Sequence, residues 1–260
     1  MNPNLGYLFH KQYFSPFSPE DWRAIAQGDA PSDAAMDQWE AILKSLTAKI
    51  EKIPGPELES PQNFILSTTY PGLLTGGGQP HGLGLINEFS LGFQFDPTTG
   101  LPLLPASGVK GVLRAAFPKE GAPHAAEKQA YILELLKQSE KPELDAAALA
   151  LEIFEGNHRG KPLPAHQRDI FFDAVPAPAT NIQLMGEDFI TPHKSPFKDP
   201  LPIRFIKVMP GVKFIFRFDL KPSRTGGLSP EEKRDLFREI LQDQGAGAKT
   251  RVGYGQFSPP

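Results

Sequence analysis

The residues best placed to do chemistry lie near the C-terminal end, in the run GAGAKTRVGYG over 245–255. Gly245, Gly247, Gly253 and Gly255 lift the steric limit on close backbone approach. Successive amides in such a loop can form a nest for an anion. Lys249 and Arg251 bring positive charge, Thr250 a hydroxyl, and Tyr254 a ring able to stack on a nucleobase. The run is not a nucleotide P-loop, whose lysine directly follows a glycine and precedes Ser or Thr at a helix start. Contact with phosphates and bases is the chemistry on offer. A tight, glycine-rich connection between strands accounts for the same residues equally well.

A second basic group lies in GLPLLPASGVKGVLR, residues 100–114. Ser107 is placed to cap a helix after the extended, proline-held lead-in. Lys110 and Arg114, four residues apart, share one face of that helix, while Val109, Val112, Leu113, Ala116 and Phe117 form its buried stripe. Gly111 would let a backbone or a phosphate come close. Lys110 and Arg114 fit phosphate contact or an ordinary solvated face. Further along, His193 and Lys194 in DFITPHK offer another phosphate contact, or a histidine bonded to its own turn. Leu184, Met185 and Phe189 have the shape of a wedge between bases, or of core and interface packing.

Among the elements that flank these groups, Met36, Trp39, Ile42, Leu43, Leu46, Ile50 and Ile53 follow helical spacing. The predicted helix stops at Pro54-Gly55-Pro56, giving residues 1–60 a helical character. Strands are predicted over Asn63–Tyr70, along Phe89, Leu91, Phe93 and Phe95, and over RDIFFDA (168–174). One or two helices are expected within 123–155. IRFIKVM (203–209) and VKFIFRFDL (212–220), either side of Pro210-Gly211, predict a hairpin. Ser229, Pro230 and Glu232 begin a capped final helix that ends before the glycine loop. The pattern predicts an α+β fold with an antiparallel sheet.

Composition bounds the function. The chain has 260 residues, 40% of them hydrophobic, and no cysteine, which excludes disulfides, thiol catalysis and cysteine-ligated metals. No run is long and apolar enough for a membrane span, and the start lacks a signal-peptide pattern, so a cytoplasmic protein is expected. None of the six histidines forms an H-x-x-x-H pair; neither metal nor cofactor is expected. The net charge of −3 hides a polarity. Residues 191–224 are rich in Lys and Arg, whereas 119–160 lean acidic.

Together these motifs resemble the RAMP superfamily of CRISPR-associated proteins. The loop GxGxxxxxGxGxF resembles that family's glycine-rich loop, and residues 100–114 resemble its segment G-x-P-x-x-P-G-S-x-x-K-G-x-x-R. Ala106 replaces a usual glycine there, and Gly108 follows the serine. NLGYLFHKQYF, FFDA, DFITPHK, LPIRFIKV and AKTRVGYGQF occur in the order of one subgroup, the sixth subunit of type III-B (Cmr) effector complexes.

The resemblance implies a ferredoxin-like, RRM-related fold: one domain over 61–260, a helical insertion at about 119–160, and residues 1–60 as a helical extension packed on it. It implies an RNA-binding, non-catalytic subunit that holds the 3′-proximal part of a crRNA and supports pairing with target RNA. The partners implied are the backbone RAMP subunit, the filament-end RAMP subunit and, as a further candidate, a small helical subunit. Ser107, Lys110, Arg114, His193, Lys194, Gly245, Gly247, Lys249, Thr250, Arg251 and Tyr254 are the RNA contacts it implies. The segment from Pro176 to Pro202 corresponds to a thumb-like hairpin of related subunits. Related RAMP nucleases also process CRISPR repeat RNA without metal, using a histidine. His81 is the candidate for that alternative. Asp173 and Asp96 fit structural roles as readily as catalytic ones.

Overall fold

The computed structural model describes residues 3–54, 60–136, 144–191 and 202–260. Its N-terminal part is helical because each start is capped. Asn4 accepts from the Tyr7 N–H to open α1 (Leu5–His10), and Ser18 and Asp21 form a reciprocal capping box around Pro19 at the head of α2 (Pro19–Gln27). Ser32 caps α3 (Asp33–Leu46), which buries Ala35, Trp39, Leu43 and Leu46 at helical spacing.

The helix predicted to reach Ile53 stops at Leu46. Thr47 closes its last turn, and Ile50–Ile53 forms strand β1 instead. Both isoleucines are buried and β-branched, and a strand partner exists for them: β7 (Ala179–Ile182), with Ile50 opposite Ile182 and Ile53 opposite Ala179.

The main sheet is antiparallel. β2 (Phe64–Thr68) lies between β12 (Phe257–Ser258) and β10 (Lys213–Phe216), and β10 also pairs with β6 (Val175–Pro176). Phe64, Leu66 and Thr68 face inward from β2; Phe214, Ile215 and Phe216 are all buried on β10. Between β2 and β6 the chain makes α4 (Ala106–Ala116), α5 (Ala125–Leu135), α6 (Ala146–Glu155), the two-residue strands β3 (Asn157–His158) and β4 (Lys161–Pro162), and β5 (Ile170–Phe171). Between β10 and β12 come β11 (Phe218–Asp219), paired with β5, and α7 (Pro230–Gln244). Ser229 and Glu232 form the expected capping box on α7, and Leu236, Phe237, Ile240 and Leu241 are its buried face.

Three strand expectations need correction. IRFIKVM and VKFIFRFDL are not a hairpin. β9 (Ile203–Val208) pairs residue for residue with β8 (Met185–Ile190), whereas β10 crosses to β2. Thr68 holds the turn between them: Val212 N–H donates to its hydroxyl, which donates in turn to Met209 O. Phe89–Phe95 is not a regular strand, because its partners are scattered. Ser90 N–H goes to Arg204 O, Gln94 N–H to the Thr75 hydroxyl, and Phe95 bridges Pro102. Its alternation still buries Phe89, Phe93 and Phe95. Within RDIFFDA only Ile170–Phe171 is a strand, and Ala174 bridges Leu104.

Candidate nucleic-acid interface

The glycine loop is laid against the segment that follows β2. Ala246 N–H donates to Gly255 O, Ala248 N–H to Leu74 O and Gly255 N–H to Gly72 O, each over 2.8 Å. This close approach is what the glycines permit. A Cβ on Gly247 (φ +94°) would collide with Leu74 O, and one on Gly255 (φ +69°) with Ala246 O. The amides of residues 246, 248, 252, 253 and 255 are bonded to carbonyls of the loop and its neighbour. About half of the amides of the expected anion nest are thus taken by the protein's own backbone. What the loop displays is its tip. Lys249 sits in the left-handed region, Thr250–Val252 forms a 3₁₀ turn, and Lys249 and Arg251 are exposed, making no ion pair among the described residues. Thr250 is half-buried, Gly245 buried, and Gly247 exposed.

Tyr254 does not offer a ring to a base. It is buried, its edge set against Phe205, and its hydroxyl donates to Asp188 on β8. Burial and the neighbouring carboxylate both raise its pKa. Burial alone would raise Asp188, but hydrogen bonds from Lys207, Tyr254 and the Phe189 amide outweigh it and lower the carboxyl. The aromatic ring that does face solvent here is Tyr70, 85% exposed, just past the end of β2.

α4 opens differently from expectation. Pro105 is its N-cap position, with no side-chain cap of its own, and Ser107 lies inside the first turn. The cap comes from across the fold: Asp173 accepts from the Ala106 N–H at 2.6 Å. Asp173 therefore has a structural partner. Ser107, Gly108 and Gly111 are exposed, and nothing lies within 4 Å of a Cβ on either glycine. Lys110 Nζ lies 5.6 Å from the Phe171 ring centre, and Arg114 sits 3.8 Å from the Glu155 carboxylate.

The two basic motifs are neighbours only through intermediates. Ala248 bonds to Leu74, Thr75 to Gln94, Gln94 to Leu103, Leu104 to Ala174, and Asp173 to the first turn of α4. Segments 72–75, 94–95 and 101–104 thus lie between the glycine loop and Ser107. Much of the basic C-terminal third is internally bonded. Arg204 pairs with Glu187 and covers Phe89, Lys207 pairs with Asp188, Lys221 with Asp219, and Arg217 donates to Asp173 O.

Leu184 and Met185 are core residues, whereas Phe189 on β8 is exposed. His193 and Lys194 lie outside the described residues. His81 sits 2.8 Å from Phe9 O and stacks on Tyr13, and burial pushes its pKa down to about 4. Asp96 accepts from Thr98 and Thr99 in its own turn. Among the described residues no His, Asp and Glu cluster could hold a metal, and no helix is long and apolar enough to cross a membrane.

The fold is α+β, with two exposed cations carried on a backbone-anchored loop. The sequence matches the RAMP superfamily over residues 65–258, and the chain belongs to that family. A curated relative, the CRISPR system CMR subunit Cmr6 of Saccharolobus solfataricus, is 28% identical over 65% of this chain. The chain spans about half, 49%, of that relative's length. A chain in a cryo-EM structure of type III-B Cmr-beta bound to cognate target RNA is 26% identical, with a TM-score of 0.48 over 86% of this chain and 62% of that one. Crystalline Cmr6 from Pyrococcus furiosus is 20% identical, with a TM-score of 0.41 over 76% of this chain and 97% of that one.

Proposed function

We propose that this chain is a non-catalytic, RNA-holding subunit of a type III-B (Cmr) RNA-guided effector. It would contact the 3′-proximal part of the crRNA and support pairing with target RNA, beside a backbone RAMP subunit, a filament-end RAMP subunit and a small helical subunit. The observation that carries the reading is the pair of exposed cations, Lys249 and Arg251, on a loop pinned by backbone hydrogen bonds to 72–74. Charges fixed in this way neutralise phosphates without reading bases, which a subunit serving many guides requires. Ser107, Lys110 and Arg114 on α4, and His193 and Lys194, are the further RNA contacts of this reading.

The domain reading is a single ferredoxin-like RAMP unit over 61–260, interrupted by the insertion at about 119–160. The order β12-β2-β10-β6 supports it, with α4 lying between β2 and β6 in sequence and α7 between β10 and β12. Residues 1–60 would pack onto this unit. Leu5, Phe9 and Trp39 share one cluster of buried side chains with Phe214 and Leu241.

The repeat-processing nuclease is the weaker reading. A histidine whose pKa lies near 4 and whose ring is stacked under Tyr13 is poorly matched to proton transfer at neutral pH. Co-expression with the other RAMP subunits and a CRISPR array tests the choice. The holding reading expects crRNA in the purified complex, lost when Lys249 and Arg251 become Ala. Metal-independent cutting of repeat RNA by the lone chain, abolished by His81→Ala, would overturn it.

A further inference from the structure

The aromatic ring that the glycine loop lacks is supplied from another segment. Alternation along β2 buries Phe64, Leu66 and Thr68, and would send Tyr70 inward too. The strand ends at Thr68, and Tyr70 instead becomes one of the most exposed large side chains of the described residues, at 85%. Its backbone is fixed on both sides: Thr69 N–H donates to Gln256 O at 3.0 Å, and Gly255 N–H donates to Gly72 O at 2.8 Å. A Cβ on Gly253 would come within 3.4 Å of Pro71 Cδ. Tyr70 is therefore anchored directly beside the turn that carries Arg251 and Val252, the latter 67% exposed.

The two segments that meet at the ring carry charge of one sign in sequence. Residues 60–79 contain no charged side chain, and 245–260 contain Lys249 and Arg251 with no acid. Asp188, the carboxylate packed beneath the loop, is taken by Lys207 and Tyr254. An exposed ring on a segment hydrogen-bonded to the loop that carries two exposed cations matches the alternation of base and phosphate in single-stranded nucleic acid. A protein neighbour would need a broader apolar area at its centre, with charge kept to the rim.

We propose that Tyr70 is the stacking platform of this surface, taking an unpaired RNA base on its exposed ring while Lys249 and Arg251 meet the flanking phosphates. The proposal rests on the RNA-holding reading and adds the residue that grips a base. No base is specified, since every base has a face to stack.

Fluorescence anisotropy of the full chain with labelled oligoadenylate RNA tests it. Tyr70→Ala should bind roughly 5- to 150-fold more weakly, the span of base-on-aromatic stacking. Tyr70→Phe should bind like the unmodified chain, and Tyr70→Trp should show tryptophan quenching on binding that the unmodified chain does not. Because the side chain is exposed, the variants should melt together with the parent, which circular dichroism checks. If Tyr70→Ala binds normally while Lys249→Ala with Arg251→Ala binds weakly, the RNA reading stands and the platform is wrong. Should none of the chains bind RNA, both fall. If Tyr70→Ala keeps RNA but no longer co-purifies with a RAMP partner, the ring belongs to a protein interface and the proposal fails.

Discussion

Tyr254 donates its hydroxyl to Asp188 Oδ2 over 2.8 Å, and Lys207 donates to the same oxygen at 2.6 Å. This relationship fastens the end of the glycine loop to the β8–β9 hairpin. It also changes what the loop's tyrosine is for. A ring held edge-on against Phe205 with its hydroxyl engaged is an anchor, and the loop tip is left to present charge.

Removing the anchor should cost stability rather than affinity. Tyr254→Phe keeps the packing and deletes one charge-assisted hydrogen bond, so a loss of about 1.5–3 kcal/mol is expected in urea unfolding. RNA affinity of the folded variant should stay within about twofold of the parent, since the ring is buried against Phe205. Reduced binding at unchanged stability would instead make Tyr254 a contact.

Glycines of the loop and of α4 should respond in opposite directions. Gly255→Ala places a methyl against Ala246 O at φ +69° and should destabilise by about 1–3 kcal/mol or prevent folding. Gly111→Ala meets open space inside a helix and should stabilise by roughly 0.5–1 kcal/mol. If RNA backbone comes close to α4 at that point, the same Gly111→Ala chain binds RNA more weakly while melting higher. Thermal melts and anisotropy on one preparation separate the two effects.

The elements with strong local signals were legible in the sequence. The capping box at Ser229 and Glu232 and the apolar stripe of α7 are local facts, and they fold as written. So is the buried alternation through Val212, Phe214, Phe216, Phe218 and Leu220. Partner choice was not legible. Ile50 and Ile53 satisfy helical spacing and become a strand because Ile182 and Ala179 wait opposite them, far away in the chain. Likewise β10 leaves its sequence neighbour β9 for β2. At the site, Lys249 and Arg251 were readable as positive charge on a glycine loop, and the structure adds that both are exposed. The cap that Asp173 gives α4, 67 residues from Ala106, was not readable. Tyr70 was hidden by its own strand, whose period assigns it inward; only the early end of β2 turns it out.

Lys249 and Arg251 should act through charge alone. For single strands, log affinity falls with log salt at a slope of about 0.7 for each phosphate neutralised. Replacing both residues by Ala should reduce that slope by about 1.4, and by the same amount on uridine-rich and adenosine-rich RNA. A salt titration of binding measures the slope. An unchanged slope with weaker binding would mean the substitutions disturbed the loop and removed no phosphate contact.

His81 should make the fold acid-sensitive. Phe9 O can only accept, so His81 Nε2 carries the proton, and Nδ1 is the bare nitrogen, buried with no hydrogen-bond partner among the described residues. Protonating Nδ1 would bury an uncompensated charge, and burial accordingly lowers the pKa from 6.5 to about 4. Between those values the unfolded chain binds the proton that the folded one refuses. Stability from this group is therefore complete above about pH 6.5 and is lost as pH falls toward 4, by about 2 kcal/mol at pH 5. His10, lowered by burial and by Lys11, adds a term of the same sign, so the comparison must isolate His81. His81→Phe keeps a ring against Tyr13 and cannot titrate. It should unfold more easily than the parent at pH 7.5, having lost the bond to Phe9. Its disadvantage should shrink or reverse at pH 5, read as urea midpoints at the two pH values. Parallel pH profiles for the two chains would show that His81 is not the titrating group.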